Sequence, residues 1–199
     1  MRLWETVLGK EHPSTLMNMN NLARVLSDQG KYEQAEEMHR QALGLRETVL
    51  GKEHPNTLKS MNNLATVLGD QGKYEQAEEM YREALMLREK VLGNEHPDTL
   101  MSMNNLANML SRQGKYMQAE EMHRQALRLS ETMLGKEHPD TLTSMNNLAL
   151  VLRNQGKYEQ AEEMLRRALR LMKTVLGKEH PDKLASDGMW WVRRRQQGD

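Results

Sequence analysis

Apolar and polar positions follow two helical rhythms along this chain, one after the other, and the pair then repeats. From Thr15 to Leu26 the apolar residues fall at Leu16, Met19, Leu22, Ala23, Val25 and Leu26, the three-and-four spacing that lines one face of a helix. Asp28-Gln29-Gly30-Lys31 breaks this rhythm around a glycine. A second one runs through Tyr32, Ala35, Met38, Ala42, Leu43, Leu45, Val49 and Leu50 and stops at Gly51, a residue suited to a left-handed cap. Lys52-Glu53-His54-Pro55 restarts the cycle, because proline biases the residue before it away from helix and fits the first turn of the next. The pattern predicts a unit of two antiparallel helices and two short turns.

That unit returns every 42 residues. His-Pro marks it at His12, His54, His96, His138 and His180, and Gly-Lys-Tyr at Tyr32, Tyr74, Tyr116 and Tyr158. A fixed period of this size is the signature of a solenoid, in which each unit buries its apolar face only by stacking on its neighbours. The expected fold is therefore all-α, with repeats at 10–51, 52–93, 94–135 and 136–177. Residues 1–9 match the end of a second helix, as in Leu43 to Gly51, and are expected to complete a preceding repeat. Beyond Pro181 the pattern decays, and 178–199 are expected to form a degenerate repeat or tail. Its Trp190 and Trp191 suit the cover of a last exposed core better than a basic aromatic ligand arm.

Leu22, Ala23, Leu26, Tyr32, Ala35 and Ala42 return as Leu64, Ala65, Leu68, Tyr74, Ala77 and Ala84, and again in the third and fourth blocks. This spacing of large and small residues resembles the tetratricopeptide repeat. The phrases Asn-Asn-Leu-Ala, Gly-Lys-Tyr and Leu-Gly-Lys-Glu-His-Pro are similar to the kinesin light chain subclass. That resemblance implies an α-solenoid coiled as a right-handed superhelix, whose concave groove is lined by first helices and binds adaptor peptides. It equally implies the arrays of large sensor proteins that carry a nucleotide-binding switch domain. The family's usual period is about 34 residues, so the surplus is expected as roughly one added turn per helix. No proline closes the second helix, Glu47 standing near its place, so that helix is expected to run on to Leu50.

Composition narrows the partners. With 28 Lys and Arg against 28 Asp and Glu the formal charge is zero, which offers no long-range field to gather nucleic acid or an anionic membrane. Cysteine is absent, so neither a disulfide framework nor a thiolate metal site is available. No apolar run approaches the roughly 20 residues of a spanning helix. The expectation is a cytoplasmic protein without cofactor or metal, and 17 Met with no Phe fill its helical gaps.

Candidate binding residues lie opposite the apolar face of the first helix. Asn20-Asn21 recurs as Asn62-Asn63, Asn104-Asn105 and Asn146-Asn147, while neighbouring positions drift: Met17 becomes Lys59, Met101 and Thr143, and Arg24 becomes Thr66, Asn108 and Leu150. A carboxamide offers two donors and an acceptor, so a ladder of them pairs with the main chain of an extended peptide whatever its sequence. Arg24, Lys59 and Asn108 are then candidates for selecting its side chains. Asparagine also bridges adjacent helices, and recurrence alone does not separate the two roles. The expectation is that Asn20, Asn62, Asn104 and Asn146 face the groove more fully, with the second of each pair shared with a neighbouring repeat.

Other groups invite chemistry and are better read structurally. The His-Pro histidines lie one per repeat, too far apart for a shared zinc ion, and are expected to cap the following helix. His39 and His123 occupy a packing position held by Tyr81 and Leu165 elsewhere. Glu36-Glu37, Glu78-Glu79, Glu120-Glu121 and Glu162-Glu163 are expected on a solvated outer face. No phosphate-binding loop, cysteine nucleophile or residue outside the repeat pattern suggests an active site. The function expected is a non-enzymatic scaffold holding a protein or peptide ligand. The alternative is a structural or sensing array that associates head to tail, and an RNA-reading solenoid ranks third for want of positive charge.

Overall fold

The computed structural model describes residues 9–176. Expectations for residues 1–8 and 177–199, His180 and the Trp190-Trp191 tail among them, lie outside the described residues. Among the described residues eight helices follow in order: α1 (Pro13–Asp28), α2 (Tyr32–Leu50), α3 (Pro55–Asp70), α4 (Tyr74–Leu92), α5 (Pro97–Arg112), α6 (Tyr116–Met133), α7 (Pro139–Asn154) and α8 (Tyr158–Leu176). Among the described residues there is no strand, and no helix is long and apolar enough to cross a membrane.

Each first helix starts in the same way. His12, His54, His96 and His138 have extended backbone, and their Nδ1 accepts from the N–H two residues on at 3.1–3.2 Å. This satisfies one of the amides that a helix leaves unpaired at its start, and the proline that follows has no amide hydrogen to leave. The turn into α2 is a Schellman cap: Gly30 at φ 76° donates to Ser27 O, and Lys31 N–H donates to Leu26 O. Gly51 departs from the expected left-handed cap. At φ 88° and ψ 162° it is extended with positive φ, a region essentially restricted to glycine, which swings the chain directly into the next linker.

Packing follows sequence order, each helix lying against the one before and the one after. Alanines set the approach: Ala23, Ala35 and Ala42 are fully buried, as are Ala65, Ala77 and Ala84. The core is a row of clusters rather than one centre, running from Leu16 and Met19 through Leu64 and Leu106 to Leu148 and Leu165. First helices of successive repeats also touch, α1 with α3, α3 with α5 and α5 with α7, whereas successive second helices do not meet to the same extent. The first helices therefore lie on the inner side of the curve.

A polar lock ties each repeat to the next. Glu36 accepts from Gln71 Nε2 at 2.9 Å, Lys73 Nζ at 2.7 Å and Arg40 Nε at 2.9 Å. The same set recurs at Glu78 with Gln113, Lys115 and Arg82, and at Glu120 with Gln155, Lys157 and Arg124. Burial alone would raise these carboxyls, but the three donors outweigh it and hold each at about 2. This corrects the outer-face reading of the glutamate pairs. Glu37, Glu79, Glu121 and Glu163 are exposed, while Glu36, Glu78 and Glu120 sit in the junctions, because adjacent helical residues point about 100° apart.

Candidate functional site

In the first two repeats the two asparagines of a pair differ in burial. Asn20 is 8 % exposed and Asn62 5 %. Asn20 Nδ2 donates to Leu16 O at 2.9 Å, and its Oδ1 accepts from His39 Nδ1 at 3.0 Å. Asn104 Oδ1 likewise accepts from His123 Nδ1 at 3.0 Å, and its Nδ2 donates to Ser144 Oγ in the next repeat at 3.1 Å. A carboxamide oxygen only accepts, so both imidazoles carry their proton on Nδ1. Burial pushes His39 and His123 down to about 4, with the Arg46 charge adding to the effect at His39, so both rings are neutral at pH 7. Asn62 Nδ2 reaches Ser102 Oγ at 3.4 Å. Where Tyr81 and Leu165 replace histidine, Asn62 Oδ1 and Asn146 Oδ1 are buried without a hydrogen-bond partner.

The expected orientation is thereby reversed in the first two pairs, while in the third and fourth both asparagines are half-buried. Asn20 turns toward the paired helix, Asn62 toward the next repeat and Asn104 toward both. Asn21 is exposed, and Asn63, Asn105 and Asn147 are half-buried at the inner surface. Two clefts open there between successive first helices. One, of about 370 Å³, brings together Asn20, Asn21, Arg24, Lys59 and Asn63 beside Arg46. The other, of about 410 Å³, gathers Asn104, Asn105, Asn108 and Asn147 with Asp98 and Asp140. Asn62 and Asn146 line neither cleft.

With helix pairs, inner face and spacing in place, comparison with known families is decisive. The family model described as tetratricopeptide repeat matches residues 1–48, 19–90, 67–132, 98–174 and 140–186. This chain belongs to the tetratricopeptide repeat family. Repeats of this family mediate protein–protein interaction and typically form non-catalytic scaffolds. Among curated proteins none matches the chain. Among solved structures, a Podosopora anserina protein assigned as a kinesin light chain, with nearly identical TPR-like repeats, is 28 % identical with a TM-score of 0.73, over 89 % of this chain and 84 % of its own. A point variant of it gives 28 % identity and a TM-score of 0.75 over 88 % and 82 %. BtubC (BKLC) from P. vanneervenii shares the fold at 24 % identity, with a TM-score of 0.73 over 90 % of this chain and 72 % of its own. The kinesin light chain-like character of this tetratricopeptide array is thus shared with solved relatives.

Among the described residues of this tetratricopeptide array, no three His, Asp or Glu side chains are grouped to hold a metal ion. The clefts differ in charge. Cationic Arg24, Arg46 and Lys59 line the first and no carboxylate does; Asp98 and Asp140 line the second and no Lys or Arg does. Sequence reasoning missed both aspartates and the buried Arg46 and Arg88. Their signal was present in the drift from block to block, where Arg46 and Arg88 give way to Ser130 and then Met172.

Proposed function

We propose that the inner face holds an extended segment of a partner protein, with Asn21, Asn63, Asn105 and Asn147 pairing to its main chain. The observation that carries this reading is the placement of the second asparagine of every pair at a cleft of the inner face. Asn20 and Asn62 are buried while Asn21 is exposed and Asn63 half-buried, and Asn21, Asn63, Asn105 and Asn147 all line the clefts. A carboxamide at each repeat offers a donor and an acceptor to a passing peptide backbone. Arg24, Lys59 and Asn108, all exposed at positions that vary between repeats, then bias the choice of side chains. The array acts as a scaffold and carries out no reaction of its own.

A peptide array probed with the folded protein tests this. Asn63→Ala with Asn105→Ala is expected to lower peptide retention by about tenfold, the loss of two or more net hydrogen bonds. Asn62→Ala, at a position that lines neither cleft, should leave retention per folded molecule unchanged. Undiminished retention by a folded Asn63→Ala, Asn105→Ala protein sinks the reading.

A second reading, head-to-tail association of copies, is favoured by a separate observation. Leu22 and Val25 on α1 are 36 % and 47 % exposed, although their counterparts Leu64, Val67, Leu106 and Met109 are at most 3 % exposed. Lys31 Nζ donates to Gln29 Oε1 at 2.8 Å, whereas Lys73, Lys115 and Lys157 each reach a glutamate of the preceding repeat. Leu22 and Val25, in the second half of α1, thus present a side that the other first helices bury.

A further inference from the structure

One second-helix position, followed from repeat to repeat, exposes a vacancy in the wall of the inner face. Arg46 Nη1 donates to Asn56 O at 3.0 Å and to Ser60 Oγ at 2.6 Å. Arg88 Nη1 repeats this, donating to Asp98 O at 2.8 Å and to Ser102 Oγ at 2.7 Å. Each guanidinium crosses from a second helix to the first two turns of the next first helix, and both arginines are buried. At the third junction the residue is Ser130, itself buried, and its short side chain cannot cross.

The groups a guanidinium would meet at that junction are still present. Asp140 and Ser144 stand where Asp98 and Ser102 stand one repeat earlier. Ser144 Oγ accepts from Asn104 Nδ2 at 3.1 Å, which leaves it a second lone pair. Ser130, Ser144, Asp98, Asp140 and Asn147 all line the cleft of about 410 Å³, open to the inner face, with Met101 among its apolar walls. In the preceding junction the charge of Arg88 lies within electrostatic reach of Asp98; beside Asp140 the matching residue is an uncharged serine.

We propose that this cleft is a socket for an arginine side chain of the partner segment, its guanidinium taking the place that Arg46 and Arg88 fill at the two earlier junctions. The inference rests on the groove reading above and names the chemistry of one side chain in the bound peptide. The guanidinium donates to Ser144 Oγ and the Asp140 carbonyl. The Asp98 and Asp140 carboxylates supply opposite charge at the mouth, and Met101 packs against the methylene stem. Lysine fits less well, because its ammonium is a strongly hydrated point charge without the planar fork that spans two acceptors.

The test uses N-acetylarginine methylamide as probe, with the uncharged isostere N-acetylcitrulline methylamide and N-acetyllysine methylamide as controls, titrated into the full isotope-labelled chain. The arginine probe is expected to shift amide resonances around Ser130 and Ser144 saturably, with a Kd of about 1 mM, and to bind about tenfold tighter than the citrulline probe. Ser130→Arg copies the earlier junctions and should abolish those shifts without lowering the melting temperature. Asp140→Asn, which keeps the cleft open, should weaken the arginine probe severalfold and leave the citrulline probe unaffected. The proposal is overturned by saturable binding that survives Ser130→Arg, by equal affinity for citrulline, or by no saturation at about 20 mM probe. Peptide retention in the Asn63→Ala, Asn105→Ala protein reports on the groove, and Ser130→Arg on the socket, so the two readings fail separately.

Discussion

Asn20 and Asn21 are chemically identical neighbours on α1, yet one is buried against His39 and the other is exposed on the inner face. The 100° step between successive helical residues produces that difference. The histidine it engages has a thermodynamic consequence. His39 and His123 are held at about 4 by burial, against 6.5 for an ordinary histidine. Between those values the unfolded chain takes up protons that the folded one refuses, so stability is complete above 6.5, falls as the pH is lowered, and stops falling below about 4. Each ring accounts for up to roughly 3 kcal/mol across that window. Urea unfolding from pH 7 to pH 4 should show this slope. Replacing His39 and His123 with Leu, the residue of the fourth repeat at Leu165, should flatten it; an unchanged slope would place the acid sensitivity elsewhere.

At the scale of the element, the junction is held by a carboxylate with three donors as well as by apolar contact. Glu78 gathers Arg82 from its own helix and Gln113 and Lys115 from the next repeat. Its carboxyl stands at about 2 against 4.5 for an ordinary glutamate. The depressed value means that this contribution is fully present above about 4.5 and is lost as the pH falls through about 2. Glu78→Gln is expected to lower the free energy of unfolding by about 1–3 kcal/mol at pH 7. A double-mutant cycle with Lys115→Met should give a coupling energy clearly above the few tenths typical of an exposed pair. Additive losses at the two positions would show that the lock is only surface charge.

For the whole molecule, stability is a sum over repeats and the junctions between them. Leu22 and Val25 are exposed on α1, and stacking of a second copy would bury them as Leu64 and Val67 are buried within the chain. Sedimentation velocity over a hundredfold range of concentration is expected to show a rising weight-average coefficient. Leu22→Glu with Val25→Lys should hold the protein at the monomer value while leaving its circular dichroism intact. A wild type that stays monomeric throughout removes the second reading.

Helix pairs, their order, the 42-residue spacing and the capping histidines were legible in the sequence, because they depend on local backbone chemistry and on apolar periodicity, which neighbours in the chain determine. The side of the helix on which each asparagine falls was not. The inner and outer faces of a first helix are both partly polar, and only the contacts of α1 with α3 and of α3 with α5 define which way the array bends. The junction roles of Glu36, Glu78 and Glu120 were likewise beyond linear reading. Each depends on residues about one repeat apart meeting across an interface, as Glu36 meets Lys73, and such a meeting exists only once the repeats have stacked.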